Sequence, residues 1–460
     1  MGLLKQFDAW ADMLSGHVWG IFGIIPLLIC TGIFLMLGLK FMPLMQIGPA
    51  LKMMWRGRKP REGHEGELTP WRALMASLAA TVGTGNIVGV ATAIYFGGPG
   101  AVFWMWVTGV LGMATKFCEA TLAVRYREVA SDGSFVGGPM YYIKNGLGDR
   151  WKWMAALFAV LGSVACFGIG NMTQANGITA NLVKQTGMPE AAIAAMLLVL
   201  AALVFLGGVK RIGVVAGSLV PAMCVIYVLG ALIILIINID KVPGVFSLIL
   251  GSAFTGESAK GGLYGSMVLM AIRYGCARGL FSNEAGLGSS PMAHATAIVK
   301  HPVEQGLLGM IDPFLDTIVI CTMTALVILV SGQWMNPGIT SPAVLTNMAF
   351  DSTLPGGAGA WLVTIGLTLF AFSTILGWGL YGERCITYLF GRGASKPFYC
   401  VFTLVVPVGA LGGLDFVWNF SDLFNGLMAI PNLIALLLLS PVVFKLAREY
   451  FSDPKNMTDS

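Results

Sequence analysis

Charge is the scarcest ingredient of this 460-residue sequence: 11% of residues are Asp, Glu, Lys or Arg, whereas 56% are hydrophobic. A soluble domain carries nearer a quarter charged residues, so the composition excludes an ordinary water-soluble protein and points to a chain that crosses a bilayer repeatedly. The mean hydropathy of +0.77 agrees. Histidine is nearly absent, with four residues (17, 64, 294, 301) and no H-E-x-x-H spacing, which argues against a zinc-dependent membrane protease. The eight cysteines (30, 118, 166, 224, 276, 321, 385, 400) form no C-x-x-C and mostly lie in apolar runs. They read as small buried side chains rather than disulfides or metal ligands. The first apolar run lacks a small-residue cleavage site and reads as a retained helix. The basic run "LKMMWRGRKPR", 51–61, reads as an anchor near acidic lipid heads, so no nucleic-acid partner is expected.

What is present is a succession of apolar runs. About 20 such residues cross the hydrocarbon core as a helix, and no run shows the alternation of a membrane β-barrel. Eleven spans are expected, at roughly 18–40, 72–96, 100–124, 152–180, 189–207, 213–238, 262–283, 306–331, 360–382, 397–413 and 421–444. The connections after spans 1, 3, 5, 7 and 9, with the C-terminal tail, hold 22 of the 28 Lys and Arg. The opposite side holds Lys5, Lys184, Lys241 and Lys260, and Lys116 and Arg273 fall within spans. Positive charge resists translocation, so the N-terminus is expected outside and the tail, 445–460, in the cytoplasm of a cell whose plasma membrane the chain spans.

Span 2 contains "LAATVGTGNIVGVATA", 78–93, with glycines, threonines and an asparagine at mid-membrane depth. A dinucleotide fingerprint is excluded, because Gly83-x-Gly85-x-x-x-Gly89 has one residue too many and follows no strand. Gly85 and Gly89 form G-x-x-x-G, a motif for close helix packing, but that leaves Thr81, Thr84 and Asn86 unexplained. Unwound backbone within a membrane is tolerated where it is buried in protein or lines a cavity. A second polar, glycine-punctuated break, "GCARGLFSNEAGLGSSP" at 275–291, lies five helices later in span 7. Paired broken helices in corresponding places point to a transporter of inverted repeats. Spans 2–6 (72–238) and 7–11 (262–444) would be the two repeats of one membrane domain. Each holds an odd number of helices and so runs opposite to the other, with span 1 as an extra N-terminal helix.

"GGPGAVFWMWVTGVLG" (97–112), "GGPMYYI" (137–143) and "RGLFSNEAGLGSSPMAHA" (278–295) resemble blocks of the alanine-or-glycine:cation symporter family. This family belongs to the amino acid–polyamine–organocation superfamily, and its fold is similar to that of the bacterial leucine transporter. The resemblance runs over nearly the whole chain and implies sodium-coupled uptake of small neutral amino acids. It implies no other cofactor and no enzymatic activity. By the same resemblance, a sodium ion would lie between spans 2 and 9, held by the carbonyls of Ala79, Val82 and Phe370 and the hydroxyls of Ser373 and Thr374. Ser and Thr in membrane helices also commonly bond their own i−4 carbonyl.

A zwitterionic substrate needs donors for its carboxylate and acceptors for its ammonium. Backbone amides at a half-helix start suit the former, here Thr84, Gly85 and Asn86. Carbonyls of Phe281, Ser282 and Asn283 would supply the latter, unless the break in span 7 lies nearer Gly275. Trp378, one turn after Thr374, is expected to bound the side-chain pocket. Phe167 and Gln174, two turns apart on span 4, are expected on the same site. Lys116 and Glu119 read as a snorkelling structural pair. Asp312 and Asp316, one turn apart, have Arg273 and Arg278 as candidate partners in a structural or gating arrangement. Asp316 is also the candidate for proton coupling, the main alternative to sodium; a channel or a transporter-derived sensor is the more distant one.

Overall fold

A backbone crossing lipid must satisfy its own N–H and C=O groups, which selects helices. The computed structural model describes residues 10, 13–20, 23–59, 65–255, 264–339, 341–412 and 415–453. Lys5, Lys260, His64, the end of the basic run (60–61), residues 21–22 of the first span, 262–263 of the seventh and 454–460 of the tail lie outside them. The principal helices are α1 (Ile24–Gly38), α2 (Pro70–Thr81), α3 (Val88–Gly97), α4 (Gly100–Arg125), α5 (Asp149–Thr186), α6 (Glu190–Phe205) and α7 (Gly208–Ile237). They continue with α8 (Val242–Thr255), α9 (Tyr264–Asn283), α10 (Pro302–Val330), α11 (Pro342–Asp351), α12 (Ala358–Phe390), α13 (Ser395–Leu411) and α14 (Asp415–Ser452). A two-residue hairpin, Glu128–Val129 with Phe135–Val136, is the one sheet among the described residues.

Among the described residues seven helices are long and apolar enough to cross a membrane, or eight when the bent pair α2–α3 counts as one span. The other three expected spans coincide with α1 and α6, which are apolar but short, and with α9, which carries Arg273 and Arg278. The short helices α8 and α11 occupy connections for which no helix was expected.

The break in the second span is where its glycines and polar residues lie. Thr69 caps α2 by accepting the Arg72 amide, and α2 ends at Thr81. A single 3-10 turn, Thr84–Asn86, follows, and α3 departs at 61°. The Gly83 amide, which in a continuous helix would reach the Ala79 carbonyl, instead donates to Asn86 Oδ1 at 2.8 Å. A Cβ on Gly83 would come within 2.5 Å of Thr374 Oγ1, so only glycine admits α12 this closely. Gly89 has no heavy atom within 4 Å of a would-be Cβ, so helix packing does not account for it.

The second break starts later than Gly275. Helix α9 runs through that glycine to Asn283, and Gly275 serves its crossing with α4, where a Cβ would lie 2.3 Å from the Ala101 carbonyl oxygen. The chain then turns at Glu284 (φ 53°), Gly286 (φ 89°) and Gly288 (φ 83°) before a short helix at Pro291–His294. Two further irregularities are π turns, Gly168–Met172 within α5 and Phe314–Cys321 within α10. Such insertions recur at functional sites.

Candidate functional site

The break of α2–α3 packs directly against the end of α9, where a Cβ on Gly85 would lie 3.3 Å from Ser282 Cα, and two buried carboxylates of α10 tie the elements together. Asp312 accepts from Ser77 Oγ (2.5 Å) and Thr81 Oγ1 (2.9 Å) on the last turns of α2, and from Lys116 Nζ of α4 (3.1 Å). Asp316 accepts from Asn86 Nδ2 (2.6 Å) in the first break, from Ser282 Oγ (2.8 Å) at the end of α9, and from Thr317 Oγ1 (2.9 Å). The Asn86 side chain thus braces the break from both ends.

This arrangement corrects three expectations. Lys116 does not pair with Glu119, and neither snorkels, since both are fully buried. Lys116 binds Asp312, whereas Glu119 Oε1 accepts Asn432 Nδ2 (2.7 Å) and the Gly288 amide (3.2 Å), which holds the second break in place. Arg273 and Arg278 are not the partners of Asp312 and Asp316. Their guanidinium groups lie over the rings of Tyr274 and Phe281, and α10 finds its donors on α2, α4 and α9 instead.

At the α2–α12 contact four of the five oxygens assigned to a cation, those of Val82, Phe370, Ser373 and Thr374, come together. Thr374 Oγ1 lies 3.4 Å from the Val82 carbonyl and 3.0 Å from the Phe370 carbonyl. Ser373 Oγ donates to the Phe370 carbonyl at 2.8 Å, and the Ala79 carbonyl has lost the Gly83 amide. Several uncharged oxygens on two helices suit a hard monovalent cation. Adding a methyl group here is expected to expel Thr374: Gly83→Ala should reduce transport at least tenfold while the protein still folds, as measured by uptake in proteoliposomes and by thermal unfolding. Uptake within twofold of the parent would show that the contact is not needed.

Beside it lies a small cavity, about large enough for a water molecule, lined by Thr84, Gly85, Gln174, Phe281, Glu284 and Trp378 among others. Thr84 Oγ1 and Gln174 Oε1 are buried there without hydrogen-bond partners. Gln174 Nε2 donates to the Ile169 carbonyl at 2.9 Å, so the amide presents its oxygen. Trp378 is almost fully buried, and its Nε1 donates to Glu284 Oε1 at 2.9 Å. Gly170 makes room for it, because a Cβ there would meet Trp378 Cβ at 2.1 Å.

Phe167 is not part of this lining. Its ring packs on Phe398 and Phe402 of α13 at 5.7 and 5.6 Å between centroids. The π turn between Phe167 and Gln174 adds a residue, so positions seven apart no longer share a face. The Ser282 and Asn283 side chains also turn away, towards Asp316 and Thr317.

A model of the sodium:alanine symporter family matches residues 4–460. The chain belongs to that family. Among its relatives, the sodium/alanine symporter AgcS of Methanococcus maripaludis is 45% identical over 98% of this chain and 99% of its own. The probable sodium/glutamine symporter GlnT of Bacillus subtilis is 38% identical over 94% of this chain and 88% of its own. Of solved structures, MhsT in complex with L-phenylalanine shares the fold, with a TM-score of 0.55 at 16% identity, covering 84% of this chain and 99% of that one. The fold is thus the leucine-transporter-like arrangement that the family resemblance implied. The family is one of transporters, and its members carry names for different amino acids.

Sequence reasoning stopped one residue short of Glu284. The signal was available: an acidic residue between two glycine-rich stretches at membrane depth is expensive unless it has a role.

Beyond the end of α12, Arg392 binds Asp132 (2.5 Å) and Glu383 (2.8 Å). Burial raises the Asp132 carboxyl, but the hydrogen bonds from Ser134 and Arg392 prevail and hold it at about 2. A depressed carboxylate contributes above its unfolded value and is lost only as pH falls through the folded one. Acidifying from pH 7 to 5 therefore leaves this pair intact, and Asp132→Asn should show the parent's pH–uptake profile over that range. A profile shifted within it would contradict the assignment.

Proposed function

We propose that this chain is a sodium-coupled symporter that imports small neutral amino acids, alanine or glycine, by alternating access. Residues 72–238 and 262–444 are read as its two inverted repeats, with the N-terminus outside and the tail in the cytoplasm. The observation that carries the reading is the meeting of the Val82 and Phe370 carbonyls with Thr374 Oγ1, next to a cavity whose Thr84 and Gln174 oxygens have no partner. The cation would sit on the former and the amino acid in the latter, its carboxylate towards the backbone of Thr84 and Gly85. Binding and release suffice, and no covalent step is needed.

The energetics are adequate. One net charge moving inward gains about 2.3 kcal/mol per 100 mV, and a tenfold sodium gradient adds about 1.4 kcal/mol. One-to-one coupling could then concentrate the substrate about 500-fold.

The test is radiolabelled alanine uptake in proteoliposomes with sodium or choline outside at fixed pH. Uptake that needs sodium and saturates with alanine is the expected result. Uptake that persists in choline would move the coupling to protons, with Asp316 as the centre. Conduction without saturation would indicate a channel.

Size selection follows from Trp378. Trp378→Ala is expected to admit valine and leucine, seen as competition against labelled alanine. An unchanged substrate range would remove the indole from the pocket wall.

A further inference from the structure

The cavity is lined by polar oxygens, two of which lack any hydrogen-bond partner. Thr84 Oγ1 and Gln174 Oε1 are buried and unpartnered. Glu284 adds a carboxylate, 3% exposed, whose Oε1 receives the Trp378 indole (2.9 Å) and whose Oε2 receives Ser289 Oγ (2.5 Å). Both donors are neutral, and each carboxylate oxygen can accept more than one bond. Ionised, this carboxylate would have no compensating charge among its protein ligands. The Lys116 ammonium sits on Asp312 at 3.1 Å.

The backbone holds this carboxylate deliberately. Glu284 has φ 53°, one of three non-glycine residues with positive φ among those described. That conformation is unfavourable for a residue with a Cβ. It follows Ser282 and Asn283, whose side chains are bound to Asp316 and Thr317. The turn delivers one acid to the cavity while its neighbours anchor the chain behind it. A buried charge calls for a counter-charge, and one with several donors would also satisfy Gln174 and Thr84.

We propose that Glu284 is the fixed counter-ion for the substrate's ammonium group, so that the site selects amino acids with a free –NH3+ over their α-hydroxy and des-amino analogues. This rests on the reading of the cavity as the amino-acid site and adds a residue and a selectivity to it. Because the same carboxylate holds the Trp378 indole, ammonium recognition and the side-chain limit meet in one residue.

The experiment uses the full-length protein in proteoliposomes with a sodium gradient and labelled L-alanine, competed by L-lactate, propionate and L-leucine. The wild type should reject lactate and propionate by at least about 30-fold relative to alanine. Glu284→Gln keeps an oxygen for the indole and removes the charge. It should weaken alanine binding about 30-fold or more and bring the alanine-to-lactate preference towards unity, with the sodium half-saturation within about threefold and leucine still excluded. Wild-type alanine affinity and preference in this variant would overturn the proposal, as would entry of leucine with alanine affinity retained, because Glu284 would then act only on Trp378. If the variant does not fold, the wild type still decides: lactate competing within threefold of alanine overturns it. Wild-type protein that takes up no alanine at all sinks the transport reading itself, a result distinct from those.

Discussion

Replacing Thr374 by valine is expected to raise the sodium concentration for half-maximal alanine uptake about 10- to 100-fold. The substitution preserves the shape that fits against Gly83 and removes one oxygen. That oxygen lies 3.4 Å from the Val82 carbonyl and 3.0 Å from the Phe370 carbonyl, where α12 meets the end of α2. A hydrogen-bond-like contact to a charged group is worth roughly 1.5–3 kcal/mol, and each 1.4 kcal/mol is about tenfold. The fold loses only the hydroxyl's neutral contacts to the Phe370 and Val82 carbonyls, about 1 kcal/mol each. A sodium titration of uptake, run beside thermal unfolding, separates the two effects. An unmoved sodium half-saturation would falsify the assignment of Thr374 to the ion site.

The largest loss of stability is expected from Lys116→Met. Lys116 and Asp312 are both fully buried and 3.1 Å apart. Removing one partner of such a pair leaves an uncompensated charge and typically costs about 3–5 kcal/mol, whereas removing both can be nearly neutral. Ser77 and Thr81 would still donate to Asp312, but they carry no charge. The double variant Lys116→Met/Asp312→Asn should therefore recover most of the loss, a coupling that a double-mutant cycle in a denaturation assay measures. Additive losses would show that the two residues stabilise the protein independently.

Local composition revealed the break in α2 because glycine, threonine and asparagine interrupt an apolar run there. The adjacent hydroxyls of Ser373 and Thr374 were legible for the same reason. The start of the second break was not, because Gly275 and Gly286 look alike in sequence. One admits a neighbouring helix and the other takes φ 89°. Phe167 was misplaced because counting at 3.6 residues per turn does not foresee a π turn. The partner of Lys116 lies 196 positions away, beyond any argument from spacing along one helix. Glu284 could have been read from its charge alone, but its carboxylate reaches the cavity through a backbone conformation that spacing does not reveal.

Helix α10 behaves as a strut with two hands one turn apart. Asp312 grips the end of α2, and Asp316 grips the break beyond it together with the end of α9. If α2 swings during a transport cycle, it must either carry α10 and Lys116 with it or strip Asp312 of its donors inside the membrane. The second course is far more expensive, so α2, α10 and Lys116 are expected to move as one body.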